Sequence, residues 1–425
     1  MNTALFKEKI KSGEYDEKIK YIYSTADTEY HQNRFLKVID GLEENFGKKE
    51  DIRLFSAPGR TEIGGNHTDH QHGCVLAASL NLDVIGAVSL NGTDVIRIKS
   101  EGYPMDEIKL SELEVNESEF GKARALIRGI AAKFTEMGYQ LQGFDAYTVS
   151  NVLKGSGMSS SAAFEVLVGT IINRLFANGE VDAVEIAKIG QYAENVFFDK
   201  PCGLMDQMAS SVGSIVAIDF ADTKNPKVEK VEFDFTKTDH ALCIIDSGAD
   251  HADLTSEYAD ITIEMRMVAN FFGKDFLREV SKDDFMAKLP EVRAAVKNDR
   301  AVIRAMHYLN DSDRATAEAN ALKNNDFNGF LSLLKKSGYS SFMYLQNIYA
   351  PSIPNAQAVS LSLALLDELL GERGAYRVHG GGFAGTVQAF VPNDMLEMVK
   401  EKIEFVLGEG MCHVLAIRPV GGIEI

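Results

Sequence analysis

Hydrophobic and polar positions follow two periods along this chain, and each period predicts its own kind of element. Apolar residues recur every three or four positions over 35–46, 123–137 and 395–407, a spacing that predicts amphipathic helices. The stretch 255–370 has an almost wholly helical pattern with charged faces and few helix breakers. The first 50 residues are polar and helical in pattern, and we interpret them as a packing extension without chemistry of its own.

Strands are predicted between and after these helices. Short apolar or alternating runs indicate strands at 52–57, 84–90, 93–98, 144–151, 214–220, 228–235, 240–246, 376–378, 386–391 and 413–418, with helices at 161–176 and 184–198. Pro58-Gly59 is expected to end the first strand, and Asn91-Gly92 predicts a β-hairpin between the second and third. This order indicates a mixed α and β protein, with an N-terminal extension over 1–50 and domains over 51–220 and 221–425.

Composition narrows the class of protein. The 425 residues are long enough for two domains with sizeable cores, and the net charge of -18 argues against nucleic acid or an anionic membrane as partner. The four cysteines lie far apart, in no metal or redox spacing. The N-terminus becomes charged too early for a secretory signal, and no apolar run is long enough to span a membrane. We therefore expect a cytoplasmic protein.

A glycine- and serine-rich stretch, K-G-S-G-M-S-S-S-A-A-F-E at 154–165, precedes one of the predicted helices. Its glycines allow close backbone approach, its serines offer hydroxyl groups, and the free N–H groups of a helix start favour an anion. The stretch is therefore a candidate phosphate-binding loop, although a plain connecting loop has the same composition. The candidate residues are Gly155, Ser156, Gly157, Ser159, Ser160 and Ser161.

Phosphoryl transfer needs more than a phosphate loop. It also requires ligands for Mg²⁺ and a group that orients or deprotonates the attacking hydroxyl. Neither a Walker sequence nor the signature motifs of protein kinases are present. Ser160 or Ser161 with Glu194 are candidates for the Mg²⁺ site, because Mg²⁺ is commonly held by one or two protein oxygens plus phosphates and waters. Asp206 is a candidate base if a cation such as Arg60 keeps it ionised.

Five stretches carry a family resemblance. They are G-R-T-E-I-G-G-N-H-T-D-H at 59–70, G-S-G-M-S-S-S-A-A at 155–163, C-G-L-M-D-Q at 202–207, S-E-Y at 256–258 and G-G-G-F-A-G at 380–385. Together, and in this order, they resemble the motifs of the GHMP small-molecule kinases, and within that superfamily those of the galactokinases. The resemblance covers nearly the whole chain after the first 50 residues.

The resemblance implies a two-lobed α/β (α+β) GHMP kinase fold with the active site in the cleft between the lobes. It implies that ATP, with Mg²⁺, phosphorylates the anomeric (C1) hydroxyl of galactose, with Asp206 as base and Arg60 as its partner. Ser161 and Glu194 match the metal positions of the family. The positions that match its sugar-binding residues are Asn66, His67, Asp69, Gly203 and Tyr258. A sugar and ATP are the expected partners of a monomer or weak homo-oligomer.

One part of the first motif departs from the family. Galactokinases carry Glu where this chain has Asn66, Tyr where it has His70, and often Asn where it has Glu62. The family's Glu contacts the sugar near its C6 hydroxyl. The chain is therefore expected to phosphorylate galactose with a tolerated variation, or alternatively galacturonate or N-acetylgalactosamine.

Two other functions are alternatives to a sugar kinase. His67, Asp69, His70 and His72 are crowded enough to suggest a metallohydrolase, but no strand or helix pattern places them on one face. A non-catalytic sugar sensor on the same fold is the other alternative, since fold does not guarantee activity. Sensors of this family lose residues from the serine-alanine stretch, which is complete here at 159–163. We therefore favour a catalytically active kinase over a metallohydrolase or a sensor.

Overall fold

The computed structural model describes residues 1–153, 157–249 and 254–425. The α-helices are α1 (Thr3–Lys11), α2 (Asp16–Tyr23), α3 (Glu29–Phe46), α4 (Ala123–Glu136), α5 (Ser160–Phe176), α6 (Ala183–Tyr192), α7 (Met205–Val212), α8 (Thr255–Phe271), α9 (Lys282–Ala287), α10 (Leu289–Val296), α11 (Asp299–Lys323), α12 (Phe327–Ser340), α13 (Ala358–Leu370) and α14 (Leu396–Leu407). Most helices predicted from the apolar period are confirmed to within a few residues.

The strands are β1 (Arg53–Gly64), β2 (Cys74–Leu90), β3 (Val95–Ser100), β4 (Met105–Lys109), β5 (Phe144–Ser150), β6 (Ile215–Asp219), β7 (Lys227–Val231), β8 (His240–Asp246), β9 (Ala375–His379), β10 (Thr386–Pro392), β11 (Cys412–Leu415) and β12 (Ile423–Glu424). One sheet has the order β12-β1-β2-β5-β3-β4, with β6 and β7 continuing from β2. The second sheet has the order β11-β8-β10-β9. The mixed α and β architecture is therefore as predicted.

The first strand does not end where the sequence predicts. β1 pairs with β2 from Arg53 to Gly64, with a shift of register between Pro58 and Arg60. On its other side, β12 pairs only with Phe55 and Ser56, so the missing N–H of Pro58 breaks no ladder there. The predicted end at Pro58-Gly59 is therefore wrong, and Arg60 lies in a bulged strand.

The predicted hairpin around Asn91-Gly92 is also wrong. β2 and β3 follow each other in the chain, but β5 lies between them, antiparallel to β2 and parallel to β3. The Asn91 amide donates to Val95 O and to Asp145 Oδ1, both at 2.9 Å, so the turn is tied to β5. A local turn signal cannot reveal that a later strand will be inserted.

The N-terminal helices are part of the core of the first sheet. Apolar side chains of α1–α3 pack with residues of β1, β2 and β5, among them Phe35, Val38, Leu42, Leu54, Ile85 and Val149. Beneath them, Asp83 on β2 pairs with Arg34 at 2.7 Å and with Arg418 at 3.2 Å. Tyr23 and Ser56 also donate to Asp83. Burial opposes the charge of Asp83, but the two arginines outweigh it and lower the pKa of its carboxyl. The extension is thus more than a packing appendage.

The two sheets meet at β1 and β9. Arg377 on β9 donates to Glu62 Oε1 at 2.6 Å and to the carbonyl of Ile63 at 2.5 Å. The first sheet takes strands from both sides of residue 220, including β7 and β12, so a domain boundary there stays a prediction. Across the described ranges, no helix combines the length and the apolar character needed to cross a membrane.

Replacement of Asp83 by Asn is expected to destabilise the fold, because it leaves Arg34 and Arg418 buried without a counter-charge. Breaking a buried ion pair costs about 3–5 kcal/mol of unfolding free energy. Urea denaturation measures the loss. Glu17→Gln is the control, since Glu17 pairs with Lys20 at an exposed site, where the loss of an ion pair has little effect on stability. Equal stability of the two variants would contradict a structural role for the Asp83 pairings.

Candidate active site

Arg60 and Asp206 form the centre of the site. Arg60 Nε donates to Asp206 Oδ1 and Nη2 to Oδ2, each at 2.7 Å, so the guanidinium grips both carboxylate oxygens. Its third nitrogen, Nη1, donates to the carbonyl of Gly157. The β1 bulge aims Arg60 at this point, and Asp206 lies in the first turn of α7. The pair therefore joins the first motif, the serine-rich loop and the C-G-L-M-D-Q stretch.

Asp206 is ionised and reachable. Burial disfavours its charge, but the attraction of Arg60 and hydrogen bonds from Arg60 and Ser159 outweigh burial and lower the pKa of Asp206 below its ordinary value. The start of α7 also favours a negative charge at this position. The Asp206 side chain is 32% exposed, whereas that of Arg60 is 8% exposed. A held carboxylate with an open side can accept a hydrogen bond from a substrate hydroxyl.

The serine-rich loop leads directly into α5. Ser159, in a left-handed conformation before the helix, donates to Asp206 and does not cap α5 with its side chain. Within the described residues, no side chain caps the first N–H groups of α5, at Ser160 and Ser161, which are thus suited to an anion. The predicted phosphate residues Gly155 and Ser156 lie outside the described residues. Of those that are described, Ser159 contacts Asp206, and Gly157 contacts its partner Arg60.

A pair of buried carboxylates lies behind this loop. Glu194, in a π-helical turn over Ala193–Phe197, accepts from Lys200 Nζ at 2.8 Å and from Gln207 Nε2 at 2.9 Å. Glu165, one turn along α5 from Ser161, accepts from the same Gln207 nitrogen at 2.9 Å. Burial and then the charge of Glu194 raise the pKa of Glu165 well above its ordinary value. Gln207 thus brings the α5 face that carries Ser161 next to Glu194.

Asp69 in the first motif faces Gly203, which lies three residues before Asp206 in the chain. A Cβ atom added to Gly203 would lie 2.7 Å from Asp69 Oδ2, so only glycine allows this approach. The next part of the wall is His67, whose ring Nε2 lies 2.8 Å from the carbonyl of Gly381. Burial, followed by the charge of His70, lowers the pKa of His67 to about 3. The neutral ring therefore donates to that carbonyl.

Tyr258 closes the same wall from α8. Its hydroxyl donates to the carbonyl of Gly382 at 2.9 Å, and its ring meets Phe383 edge-on at 5.3 Å between centroids. Burial raises the pKa of Tyr258 to about 12, so the hydroxyl keeps its proton. Four of the predicted sugar-binding residues, at 67, 69, 203 and 258, are thus linked by contacts to each other or to the third glycine motif.

Asn66 behaves differently from its neighbours in the motif. Its side chain is fully buried, and its amide N–H groups donate to Glu62 Oε1 at 2.9 Å and to the carbonyl of Gly380 at 2.7 Å. Its amide oxygen accepts from Asn347 at 2.8 Å. Glu62 in turn pairs with Arg377. Asn66 therefore fastens the first motif to the third from inside the protein.

The histidines of the first motif point in different directions. His67 bonds to the third motif, His72 stacks on Phe276 at 3.7 Å between ring centroids, and His70 is exposed beside Asp69. Within the part of the chain that the structure describes, no group of three or more His, Cys, Asp and Glu side chains is arranged to hold a metal ion.

An apolar cavity of about 490 Å³ opens beside the start of α5. Its walls include Tyr103, Pro104, Leu126, Phe164 and Phe198, and it reaches Ser160 and Ser161. A larger cavity, of about 630 Å³, lies between α2, β7, β8 and β11 and contains none of the predicted site residues. The smaller cavity is therefore the one that adjoins the predicted phosphate-binding serines.

Sequence reasoning missed several side chains that shape this site. Glu165, Lys200 and Gln207 surround Glu194, and Arg377 and Asn347 hold Glu62 and Asn66. The spacing of Glu165 four residues after Ser161, on one helix face, was an available signal. Arg377 and Asn347 gave none, because they come from distant segments.

Family models and curated relatives match this chain. Residues 125–214 match the GHMP kinases N terminal domain, and residues 42–90 match the galactokinase galactose-binding signature. The chain is 30% identical over 354 residues to a galactokinase of Actinobacillus pleuropneumoniae, covering 82% of this chain and 87% of that one. It is 29% identical over 375 residues to a galactokinase of Glaesserella parasuis serovar 5 (strain SH0165), covering 85% and 91%.

Solved structures match the fold. Lactococcus lactis galactokinase, solved in complex with galactose, aligns with a TM-score of 0.76 at 23% identity, covering 91% of this chain and 98% of that one. Methanococcus jannaschii mevalonate kinase aligns with a TM-score of 0.61 at 14% identity, covering 87% and 99%. Both are similar in architecture to the two sheets and helices described above. With relatives at 30% identity over most of its length, the chain belongs to the galactokinase family of the GHMP kinases and is a sugar kinase.

Proposed function

We propose that this sugar kinase transfers the γ-phosphoryl group of ATP to the anomeric (C1) hydroxyl of galactose, forming galactose 1-phosphate and ADP. The observation that carries the proposal is the Arg60–Asp206 pair, a partly exposed carboxylate held by a buried guanidinium near a helix start suited to phosphate. The bond from the sugar oxygen to the γ-phosphorus forms while the bond from that phosphorus to the ADP oxygen breaks.

Asp206 orients the C1 hydroxyl and accepts its proton as the oxygen becomes bonded to phosphorus. Its lowered pKa keeps it ionised at neutral pH, so it is always able to accept a hydrogen bond. A low-pKa carboxylate is a weak base, which suits a loose transition state that needs orientation more than early deprotonation. Arg60 keeps Asp206 in place, and Asp69 and His67 are proposed to hold the remaining sugar hydroxyls.

Ser161 and Glu194 are the proposed ligands of Mg²⁺, and the structure offers a test of that assignment. Both donors are hard oxygens, which Mg²⁺ prefers. Glu194 already attracts a cation, Lys200, and the neighbouring Glu165 Oε1 has no hydrogen-bond partner among the described residues. The residues therefore fit the ion. When bound, Mg²⁺ would offset the charge on the phosphate oxygens.

The apolar cavity beside α5 is the proposed site of the adenine ring. Tyr103, Phe164 and Phe198 supply aromatic and apolar surface, and the cavity opens toward Ser160 and Ser161, where the phosphates are expected. A flat base in this cavity with its phosphates at the helix start leaves the γ-phosphoryl group next to Asp206. The arrangement accounts for ATP as the phosphoryl donor.

The position of Asn66 supports galactose over galacturonate. Both N–H groups of the amide are used inside the protein, so neither is free for a C6 carboxylate. The carboxylate that the family motif has at this position is present four residues earlier, at Glu62, where Arg377 neutralises it. Compared with the family motif, the carboxylate and the amide at positions 62 and 66 have therefore exchanged places.

The wild-type protein with Mg-ATP is expected to release ADP with galactose but not with glucose, galacturonate, arabinose or N-acetylgalactosamine. Asp206→Asn is expected to lower stability, because it removes the counter-charge of the buried Arg60, but to remain folded and bind ATP while turnover falls about a hundredfold or more, the usual scale for a lost base. Asp222→Asn, in an exposed turn, is the control. Turnover on galacturonate alone would contradict galactose as substrate, and an active Asp206→Asn would remove Asp206 from the mechanism.

Phe164→Leu is expected to raise the KM for ATP about tenfold through lost aromatic surface in the cavity, with little change for galactose. Steady-state kinetics with each substrate varied in turn measures both constants. Phe405→Leu is the matched control, because Phe405 is 88% exposed and lies on α14, away from the cavity. A rise in the galactose KM alone would place the nucleotide elsewhere.

Asn66→Glu is expected to destabilise the protein and to lower galactose turnover at least about tenfold, because it would bury a second carboxylate against Glu62. Adding Glu62→Asn removes the repulsion, so the double variant is expected to recover most of the lost stability and activity. Thermal unfolding and the ADP assay measure the two effects. A double variant no better than Asn66→Glu would contradict the exchanged pair.

A further inference from the structure

Lys200 lies in the segment between the π-helical turn and α7, and so between Glu194 and Asp206 in the chain. Its backbone N–H donates to the carbonyl of Glu194 at 3.1 Å, which anchors its backbone. Its ammonium Nζ lies 2.8 Å from Glu194 Oε1, and its side chain is 59% exposed. A fixed backbone carrying an exposed, flexible side chain allows the ammonium to change partner while the loop keeps its place.

The other partners of Glu194 do not share this freedom. Gln207 is fully buried, and its amide nitrogen donates to Glu194 and Glu165 at once. Glu194 is itself 3% exposed. Of Gln207 and Lys200, whose described side-chain nitrogens donate to the Glu194 carboxylate, Lys200 is thus the one that can leave without breaking a buried network.

Arg60 has little capacity left for phosphate. Three of its five N–H groups are used, two on Asp206 and one on Gly157 O, so its planar fork is largely committed to the base and the loop. The chain as a whole carries a net charge of -18, so its overall field does not attract a nucleotide. A cation with a free donor near Asp206 would add to what Mg²⁺ and the helix start offer a polyanion here. Lys200 is close enough to Asp206 for its charge to contribute to the lowered pKa of that carboxyl.

We propose that Lys200 is a phosphate-contacting residue, whose ammonium leaves Glu194 for the transferring phosphate when Mg²⁺ binds Glu194. This inference rests on the proposed function. A metal ion on the same carboxylate brings a second positive charge close to the ammonium, and the two repel. The γ-phosphate, proposed to lie beside Asp206, is the anion to which the ammonium would then turn. An ammonium serves well here because it is a compact charge with three donors.

Equilibrium binding of two Mg-nucleotides tests the proposal. Mg-ADP lacks the γ-phosphate, and the Mg complex of a non-hydrolysable ATP analogue with an imido bridge has it. Lys200→Met is expected to weaken binding of the analogue about tenfold, the scale of a hydrogen bond to a charged group, and to leave ADP binding within about twofold. Lys200→Arg, which restores a positive donor, is expected to recover most of the analogue affinity.

Lys188→Met is the matched control, because Lys188 lies on α6 and its ion-pair partner within the described residues is Glu185, at 3.9 Å. Equal weakening of both nucleotides by Lys200→Met, or no weakening, would overturn the proposal. Galactose turnover by the wild-type protein separates the two claims. Without turnover the proposed function fails, whereas turnover with unchanged analogue binding in Lys200→Met contradicts only the role of Lys200.

Discussion

Charged side chains buried along β1 must find partners inside the protein, and this requirement fixes how the site is assembled. Arg60 pairs with Asp206 on α7, and Glu62 pairs with Arg377 on β9. A buried charge that loses its partner costs about 3–5 kcal/mol, more than a typical surface interaction can supply. The strand, the helix and the second sheet are therefore held in one relative arrangement. The sugar-facing residues of the first motif follow from that arrangement.

The site contains one carboxylate whose surroundings favour the charged form and another whose surroundings favour the neutral form. Asp206 is gripped by Arg60 and keeps its charge, whereas burial and the charge of Glu194 favour the neutral form of Glu165. The Asp206 side chain is 32% exposed, so a hydroxyl group can reach it. The surroundings of each carboxylate, and not its residue type, thus make Asp206 suited to orient a hydroxyl and leave Glu165 as a neighbour of the proposed metal ligand.

Elements whose signals are local were predictable. The helix after the serine-rich loop has its apolar period and its serine start within a few residues of each other, and the structure begins it at Ser160. Predictions failed where a distant segment decides the outcome. β5 inserts between β2 and β3 despite the hairpin signal of Asn91-Gly92. Pro58 is accommodated in β1 because β12, from the other end of the chain, is too short to pair with it.

The sequence by itself determined the family motifs, the types of their side chains and the helices that follow an apolar period, because these depend on neighbours along the chain. Only the tertiary structure decided which hydrogen-bond partners those side chains have. Asn66 is expected from the sequence to contact the sugar, but its amide N–H groups donate to Glu62 and to the carbonyl of Gly380. Lys200, without any motif of its own, lies on Glu194. Hydrogen bonds between distant segments form only when the sheets are in place, so no pattern along the chain contains them.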